Sequence, residues 1–131
     1  MLQRIDYLLK MQATFAIETT LATKSYRNLV TRAKQSGYRV VLLFFWLKSP
    51  EMAEERVATR VASGGHDIPK DTIHRRYWAG LRNLFDIFVP IVDLWSLYDN
   101  TGVINPIVNN SMVINQPLLN QIKELCRSRK E

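Results

Sequence analysis

The stretch Tyr38-Arg-Val-Val-Leu-Leu-Phe-Phe-Trp-Leu47 decides the fold of this chain. It is rich in β-branched and aromatic residues, and all eight residues from Val40 to Leu47 are apolar. A strand that is apolar on both faces is typical of a sheet covered by helices on both sides. Eight residues are too few to cross a bilayer, which needs about 20. The run therefore predicts a buried strand and no membrane partner.

Further strands and helices are predicted on both sides of this strand, and their alternation is typical of an α/β sheet. Apolar spacing, proline and glycine positions and capping residues give their approximate limits. The predicted order is a helix over residues 3–11, a strand over 14–20, a helix over 23–36, the strand over 38–47, a helix from Ser49 to 62, a long helix after Pro69, a strand over 94–98, a short strand near Val113 and a last helix from about Gln116.

The composition indicates that these predicted elements form one domain over residues 1–131. The chain has a mass of 15.2 kDa and 47% hydrophobic residues, which suffices for one core. Cys126 is the single cysteine, which excludes a disulfide framework and predicts a reducing, cytoplasmic location. The net charge of +6 favours an anionic partner without identifying it.

Glu18, Thr19 and Thr20 follow one another where the predicted 14–20 strand ends. In open α/β sheets, ligands bind outside the carboxyl ends of the strands. A carboxylate followed by two hydroxyls can bind sugar hydroxyls or position a phosphate acceptor. The alternative is that the threonine side chains only cap the next helix, and the spacing alone favours this alternative.

A basic cluster surrounds a Gly-Gly break between two predicted helices. Residues 56–82 include six basic and two acidic side chains. Arginine suits phosphate because its planar guanidinium binds two oxygens at once. Two arginine-bearing helices joined by a hinge predict a lid that closes over a phosphate chain, and the alternative is a solvated surface. The arginines are Arg56 and Arg60 on the first helix, and Arg75, Arg76 and Arg82 on the second.

His66 and Asn100 are two further polar residues at breaks between elements. A lone loop histidine such as His66 is more often a helix-entry residue than a catalyst, and Asp67 beside it is a candidate N-cap. Asn100 follows a predicted strand, which places it near the ligand edge, although its neighbours are ordinary turn residues. Two histidines and one cysteine far apart in sequence identify no metal site.

Eight segments, in this order, resemble the zeta-toxin-like P-loop kinases, in particular a bacterial branch of predicted ATPases. The resemblance is close from about Phe15 to Gly102 and loose in the tail. Each segment is weak by itself, but the ordered set is specific. The segments are Phe15-Ala-Ile-Glu-Thr-Thr-Leu-Ala22, Gly37-Tyr-Arg-Val-Val-Leu-Leu43, Trp46-Leu-Lys-Ser-Pro-Glu51, Glu55-Arg-Val-Ala-Thr-Arg-Val61, Gly64-Gly-His-Asp-Ile-Pro69, Ile73-His-Arg-Arg-Tyr77, Gly80-Leu-Arg-Asn-Leu84 and Tyr98-Asp-Asn-Thr-Gly102.

The resemblance implies a partial P-loop-kinase-like fold, with a parallel sheet flanked by helices and a helical lid over about residues 56–82. It implies the transfer of phosphate from ATP, with Mg²⁺, to a small nucleotide of the UDP-sugar type such as UDP-N-acetylglucosamine. It also implies an antitoxin protein as a partner.

The family's functional residues map onto this chain by the same resemblance. The element that binds the sugar nucleotide matches Glu18 and Thr20, with Thr19 between them. The arginines that stabilise the transferring phosphoryl group match Arg56 or Arg60 on the first lid helix, and Arg75 or Arg76 on the second. His66 stands where the toxins have an arginine before the lid proline, and by this resemblance it is assigned to substrate binding. Asn100 is assigned to binding of the cofactor, ATP.

One departure from the family has large consequences. The sequence contains no Gly-x-x-x-x-Gly-Lys-[Ser/Thr] motif. We expect the chain to correspond to the C-terminal two-thirds of such a kinase, to bind ATP poorly and to be inactive alone. Without the family's central strand, the strands at Phe15 and Val40 have exposed edges, and such edges tend to pair. We expect these two strands to pair directly, or two chains to associate or to exchange elements.

Two other functions remain open from sequence. The first is a non-catalytic module whose basic lid binds a nucleotide or an acidic partner protein. The second is nucleic-acid binding, which the net charge of +6 suggests. Basic residues are spread over the whole chain and do not interleave with aromatic residues as in single-strand binders, so nucleic acid ranks last.

Overall fold

A computed structural model describes residues 2–129 of the chain. In these residues a mixed four-stranded sheet is flanked by five α-helices, which confirms the α/β class. The elements are α1 (Leu2–Lys10), α2 (Tyr26–Gln35), β1 (Val41–Trp46), α3 (Pro50–Ala62), α4 (Lys70–Asn83), a π-helical turn (Leu84–Phe88), β2 (Leu94–Asp99), β3 (Asn105–Asn109), β4 (Met112–Val113) and α5 (Gln116–Ser128).

The strands are arranged in the order β1-β2-β3-β4. β1 and β2 are parallel, whereas β3 and β4 continue the sheet in antiparallel fashion. Val41 lies opposite Leu94 and Trp46 lies opposite Asp99, so the two parallel strands end at the same edge of the sheet. The long connection between them contains α3 and α4, which are therefore the crossover helices of a βαβ unit.

One face of the sheet forms the main core with α4, the π-helical turn and α5. The other face of β1 is open, because Val41, Leu43 and Phe45 are 50, 53 and 49% exposed. The expectation that helices cover this strand on both sides is therefore wrong. The fully enclosed part of the core consists of Leu21, Trp46, Leu81, Leu84, Ile87, Phe88, Leu97, Ile107, Val108, Leu119 and Ile122.

Residues 14–20 do not form the expected strand. Phe15 and Ile17 are half-buried between exposed neighbours, and they pack on a small apolar cluster between α1 and α2. None of the strand pairs in residues 2–129 includes this segment, and β1 pairs with β2 alone. The expected direct pairing of the strands at Phe15 and Val40 is therefore wrong, because helix packing, and not a strand ladder, holds the first segment.

Capping residues set the limits of the helices as the sequence indicates, with one exception. The Ser49 hydroxyl accepts a hydrogen bond from Met52 N at 3.3 Å and caps α3. Gly37 ends α2 with a positive φ of 87°, a conformation that favours glycine. Asp67 is not the cap of α4, because its carboxylate accepts from Ile68 N and Pro69 holds the N-cap position.

Candidate functional site

The segment from Glu18 to Leu21 is docked onto helix α4 through two contacts. A β-carbon added to Gly80 would lie 2.2 Å from Thr20 O, so only glycine permits this close approach of the two backbones. The buried Asn83 side chain donates a hydrogen bond to Leu21 O at 2.7 Å. Leu21 itself is 4% exposed and belongs to the main core. The end of the segment is therefore fixed relative to α4.

The polar residues of this segment differ in their contacts. Thr19 Oγ1 accepts a hydrogen bond from Leu21 N at 3.1 Å, and Thr20 Oγ1 accepts from Ala22 N at 3.3 Å. These bonds stabilise the local turn at Leu21, whose φ is +59°, and do not cap α2, which starts at Tyr26. The Glu18 side chain is exposed and has no hydrogen bond or ion pair in the described part of the chain. Glu18 is thus available to a ligand.

Arg56 on α3 is tied to the edge where the two parallel strands end. Its Nη2 donates to Asn100 O at 2.8 Å, and Asn100 N donates to Trp46 O at 2.8 Å. Asn100 thus contributes main-chain atoms that connect α3 to the ends of β1 and β2. Arg56 therefore fastens α3 to the ends of the two parallel strands.

Helix α4 crosses the same edge of the sheet through Tyr77. Its hydroxyl donates to Leu47 O, just after β1, at 2.6 Å. Burial raises the pKa of Tyr77 to about 12, so the phenol stays protonated and keeps donating at neutral pH. Helices α3 and α4 are thus both anchored to the carboxyl edge of the parallel pair, which is the ligand edge in open α/β sheets.

Helical spacing separates the two candidate arginines on α4. Arg76, Gly80 and Asn83 follow one another at intervals of four and three residues, so they lie on one face of the helix. Gly80 and Asn83 contact the 18–22 segment, and Arg76 is therefore the arginine on that face. Arg75 lies on the adjacent face.

The remaining predicted site residues lie on the open surface. Arg60 follows Arg56 by one helical turn, and His66 lies in the exposed loop between the lid helices. Across residues 2–129, the side chains of Arg60, Arg75, Arg76 and His66 form no hydrogen bond and no ion pair. The contacts at Gly80, Asn83 and Tyr77 bring the end of the Glu18 segment, α4 and the end of β1 together, whereas no hydrogen bond or ion pair within residues 2–129 joins His66 to them.

Two surface concavities lie elsewhere. One is lined by α2 and the turn at Pro90, and the other by residues around Gln12 and Gly37. Neither concavity contains a residue of the candidate site.

Sequence reasoning did not identify the two residues that position Glu18. Gly80 and Asn83 lie inside a helix that is otherwise regular, and a glycine within a helical pattern often has a packing reason. Their partners are the main-chain oxygens of Thr20 and Leu21, which are distant in sequence, so no local pattern indicates these contacts.

The fold defines the chain as an α/β protein in which two helices, α3 and α4, connect two parallel strands. The chain belongs to the zeta toxin family, because the family model described as Zeta toxin matches residues 1–94. This confirms the resemblance seen in the sequence, and the family indicates a kinase-like, nucleotide-binding domain.

A curated relative is an uncharacterized protein from Haemophilus influenzae (strain ATCC 51907 / DSM 11121 / KW20 / Rd). It is 32% identical over 71 residues, which are 54% of this chain and 51% of that protein. The chain thus spans about half the length of this relative. No solved structure matches the chain significantly.

Helices that are both long and apolar enough to cross a membrane are absent from residues 2–129.

Proposed function

We propose that this chain is the acceptor-binding and lid part of a zeta-toxin-like kinase, that its ligand is a UDP-sugar, and that it transfers no phosphate by itself. One observation carries the proposal: Gly80 and Asn83 dock the Glu18 segment onto the arginine-bearing lid helix. The main chain that carries Glu18 and the helix that carries Arg76 are thereby packed together, so a carboxylate that can accept from sugar hydroxyls and a guanidinium that can bind phosphate lie on neighbouring elements.

The roles follow from this placement. The Glu18 carboxylate accepts hydrogen bonds from the sugar or ribose hydroxyls. Arg76, on the face of α4 that carries Gly80, neutralises the diphosphate, and Arg60 and Arg75 add charge when the lid closes. Arg56 keeps α3 at the edge of the sheet through its bond to Asn100 O.

The residues present do not fit Mg²⁺-ATP, the cofactor that the family suggests. The sequence has no P-loop whose amides and lysine would cradle the phosphates. Asn100, the residue assigned to the cofactor, uses its main chain to connect Arg56 to Trp46. The chain alone should therefore not turn over ATP with UDP-N-acetylglucosamine.

Calorimetry with UDP-N-acetylglucosamine tests the proposal. The wild-type chain should bind it, and Glu18→Ala should weaken binding by roughly tenfold or more, since hydrogen bonds to a charged group contribute about 1.5–3 kcal/mol. Glu124→Ala is the matched control, because Glu124 is an exposed glutamate on α5 paired with Arg127. Binding that is equally strong in the Glu18 variant contradicts the substrate assignment, and ATP turnover by the chain alone contradicts the predicted inactivity.

A second function, a non-catalytic binding module for anions, is favoured by the exposed arginines that lack an acidic partner in residues 2–129. Such a module would bind inorganic diphosphate or an acidic protein as well as it binds a UDP-sugar, and it would not depend on Glu18. Nucleic-acid binding still ranks last, and an affinity for DNA that falls steeply with salt would revive it.

A further inference from the structure

A histidine and two glutamates converge between the two lid helices. Glu51 and Glu54 are three residues apart on α3, so their carboxylates lie on one face of that helix. His74 reaches them from α4. One ligand atom of each residue lies within 4.8 Å of the other two. The group is separate from the Glu18 surface described above.

The distances in this group are longer than those of good hydrogen bonds. His74 Nε2 is 3.3 Å from Glu54 Oε2 and 3.6 Å from Glu51 Oε2, whereas N–H···O bonds are usually about 2.9–3.0 Å. With metal–ligand bonds of about 2.0–2.1 Å, two ligands of a tetrahedral zinc ion lie about 3.4 Å apart. The two separations from His74 therefore match edges of a tetrahedral zinc site, and the two carboxylates lie within 4.8 Å of each other.

We propose that Glu51, Glu54 and His74 form a zinc site that fastens α3 to α4. An imidazole nitrogen and two carboxylates are ligands that suit Zn²⁺, and two glutamates with a neutral imidazole balance its charge. The His74 and Glu51 side chains are 37 and 65% exposed, so the site is open to solvent and leaves a position for water. This inference does not rest on the proposed function.

Lys70 is the cation that competes for this site. Its Nζ lies 4.0 Å from Glu54 Oε1, and the Lys70 side chain is 84% exposed. A bound zinc ion would displace it at little cost, because exposed ion pairs contribute little free energy. Removal of this charge should therefore strengthen zinc binding.

The proposal is tested by titrating the full chain with Zn²⁺ and measuring binding by calorimetry and the melting temperature. The visible absorption of Co²⁺ bound in place of Zn²⁺ reports separately on the ligand set. The wild-type chain should bind Zn²⁺ and melt at a higher temperature with it, since a ligand of the folded state stabilises that state. His74→Gln and Glu54→Gln should each weaken binding by roughly tenfold or more, because the loss of outer-shell partners already costs about 10–100-fold. Lys70→Gln should tighten it.

The chain provides matched controls. His66→Gln removes the other histidine, Glu55→Gln removes a neighbouring exposed glutamate, and Cys126→Ser removes the thiol, and all three should leave zinc binding unchanged. If His74→Gln fails to fold, Glu51→Gln serves in its place, because Glu51 is the most exposed ligand. Equal affinity in wild type and ligand variants, or no binding at millimolar zinc, overturns the proposal and leaves only an ion-paired histidine.

Discussion

Gly80 is the residue on which the position of the Glu18 segment depends most directly. In an exposed helix interior, alanine is favoured over glycine by about 1 kcal/mol. At Gly80 this preference is reversed, because a β-carbon would lie 2.2 Å from Thr20 O, and backbone atoms cannot move as the end of a flexible side chain can.

Gly80→Ala should therefore destabilise the fold by about 1–3 kcal/mol, the usual cost of overpacking. Chemical denaturation measures this change. The control is Gly102→Ala, because nothing lies within 4 Å of a β-carbon added there. A Gly80→Ala chain as stable as the wild type would show that the 18–22 segment is not held against α4.

Cys126 is a second residue whose chemistry the fold changes. Burial, followed by the nearby charge of Asp86, raises the pKa of the Cys126 thiol from its ordinary 9.0 to about 11. The thiolate is the reactive form, so at pH 8 its fraction should be about 100-fold lower than in a thiol of ordinary pKa. Alkylation in native buffer should be slower by that factor than in denaturant. Equal rates in the two conditions would contradict this environment for Cys126.

Among the elements, helices were predicted from sequence more accurately than strands. α3 starts at the predicted serine and proline, and α5 starts at Gln116, because capping residues and apolar spacing are local signals. The strand predicted over residues 14–20 was wrong. Phe15 and Ile17 alternate with exposed neighbours because they pack on α1 and α2, and this packing gives the same two-residue period as a strand in a sheet. β3 was missed because Pro106 and three asparagines around it are turn residues in most contexts.

The start of the parallel pair is held by Asp93, just before β2. Asp93 Oδ2 accepts from Val40 N at 2.7 Å, and Asp93 N donates to Val40 O at 2.9 Å. The hydrogen bond from Val40 is the main cause that lowers the pKa of Asp93 below its ordinary 3.8, and the charges of Lys34 and Arg39 add to it. The ionised carboxylate therefore stabilises the junction of β1 and β2.

This lowered pKa predicts how stability depends on pH. A carboxyl group whose pKa is lower in the folded state stabilises the protein above its unfolded pKa, and this contribution is lost as the pH falls through the folded value. Asp93→Asn should therefore be less stable than the wild type at neutral pH, and the difference should shrink below about pH 3.8. Thermal melts from pH 7 to pH 2.5 measure it. A difference that stays constant over this range would contradict the role of the Asp93 charge.

For the whole molecule, the open side of β1 is the most exposed part of the sheet. Its outer edge has no strand partner in residues 2–129, and Leu43 is 53% exposed on its open face. Exposed apolar edge strands tend to pair with other chains. Association of two chains through this edge therefore stays a prediction, although the direct pairing with residues 14–20 is wrong.

Leu43→Lys should prevent such association, since a charge on an edge strand opposes pairing. Sedimentation velocity over a range of concentrations compares this variant with the wild type. Val103→Lys is the control, because Val103 is a loop residue that is 85% exposed. A wild-type chain that stays monomeric at high concentration, or a dimer that Leu43→Lys leaves unchanged, would contradict this prediction.

The candidate site could be predicted only in part from the sequence. Glu18, Thr19 and Thr20 were identified from their position at the end of the strand predicted over residues 14–20 and from the resemblance, and that strand does not form. Arg76 could be separated from Arg75 only after Gly80 was seen to contact the Glu18 segment. The group of Glu51, Glu54 and His74 was missed because α3 and α4 bring these residues together across a loop.

The central claim is that the Glu18 segment and helix α4 form one ligand surface for a UDP-sugar. The most direct measurement is an NMR titration of the isotope-labelled chain with UDP-N-acetylglucosamine. If these two elements bind the ligand together, amide signals should shift in residues 18–22 and 76–83, and the Glu18→Ala chain should lose these shifts. Shifts confined to other surfaces, such as the concavity between α2 and Pro90, or the absence of any shift, would contradict it.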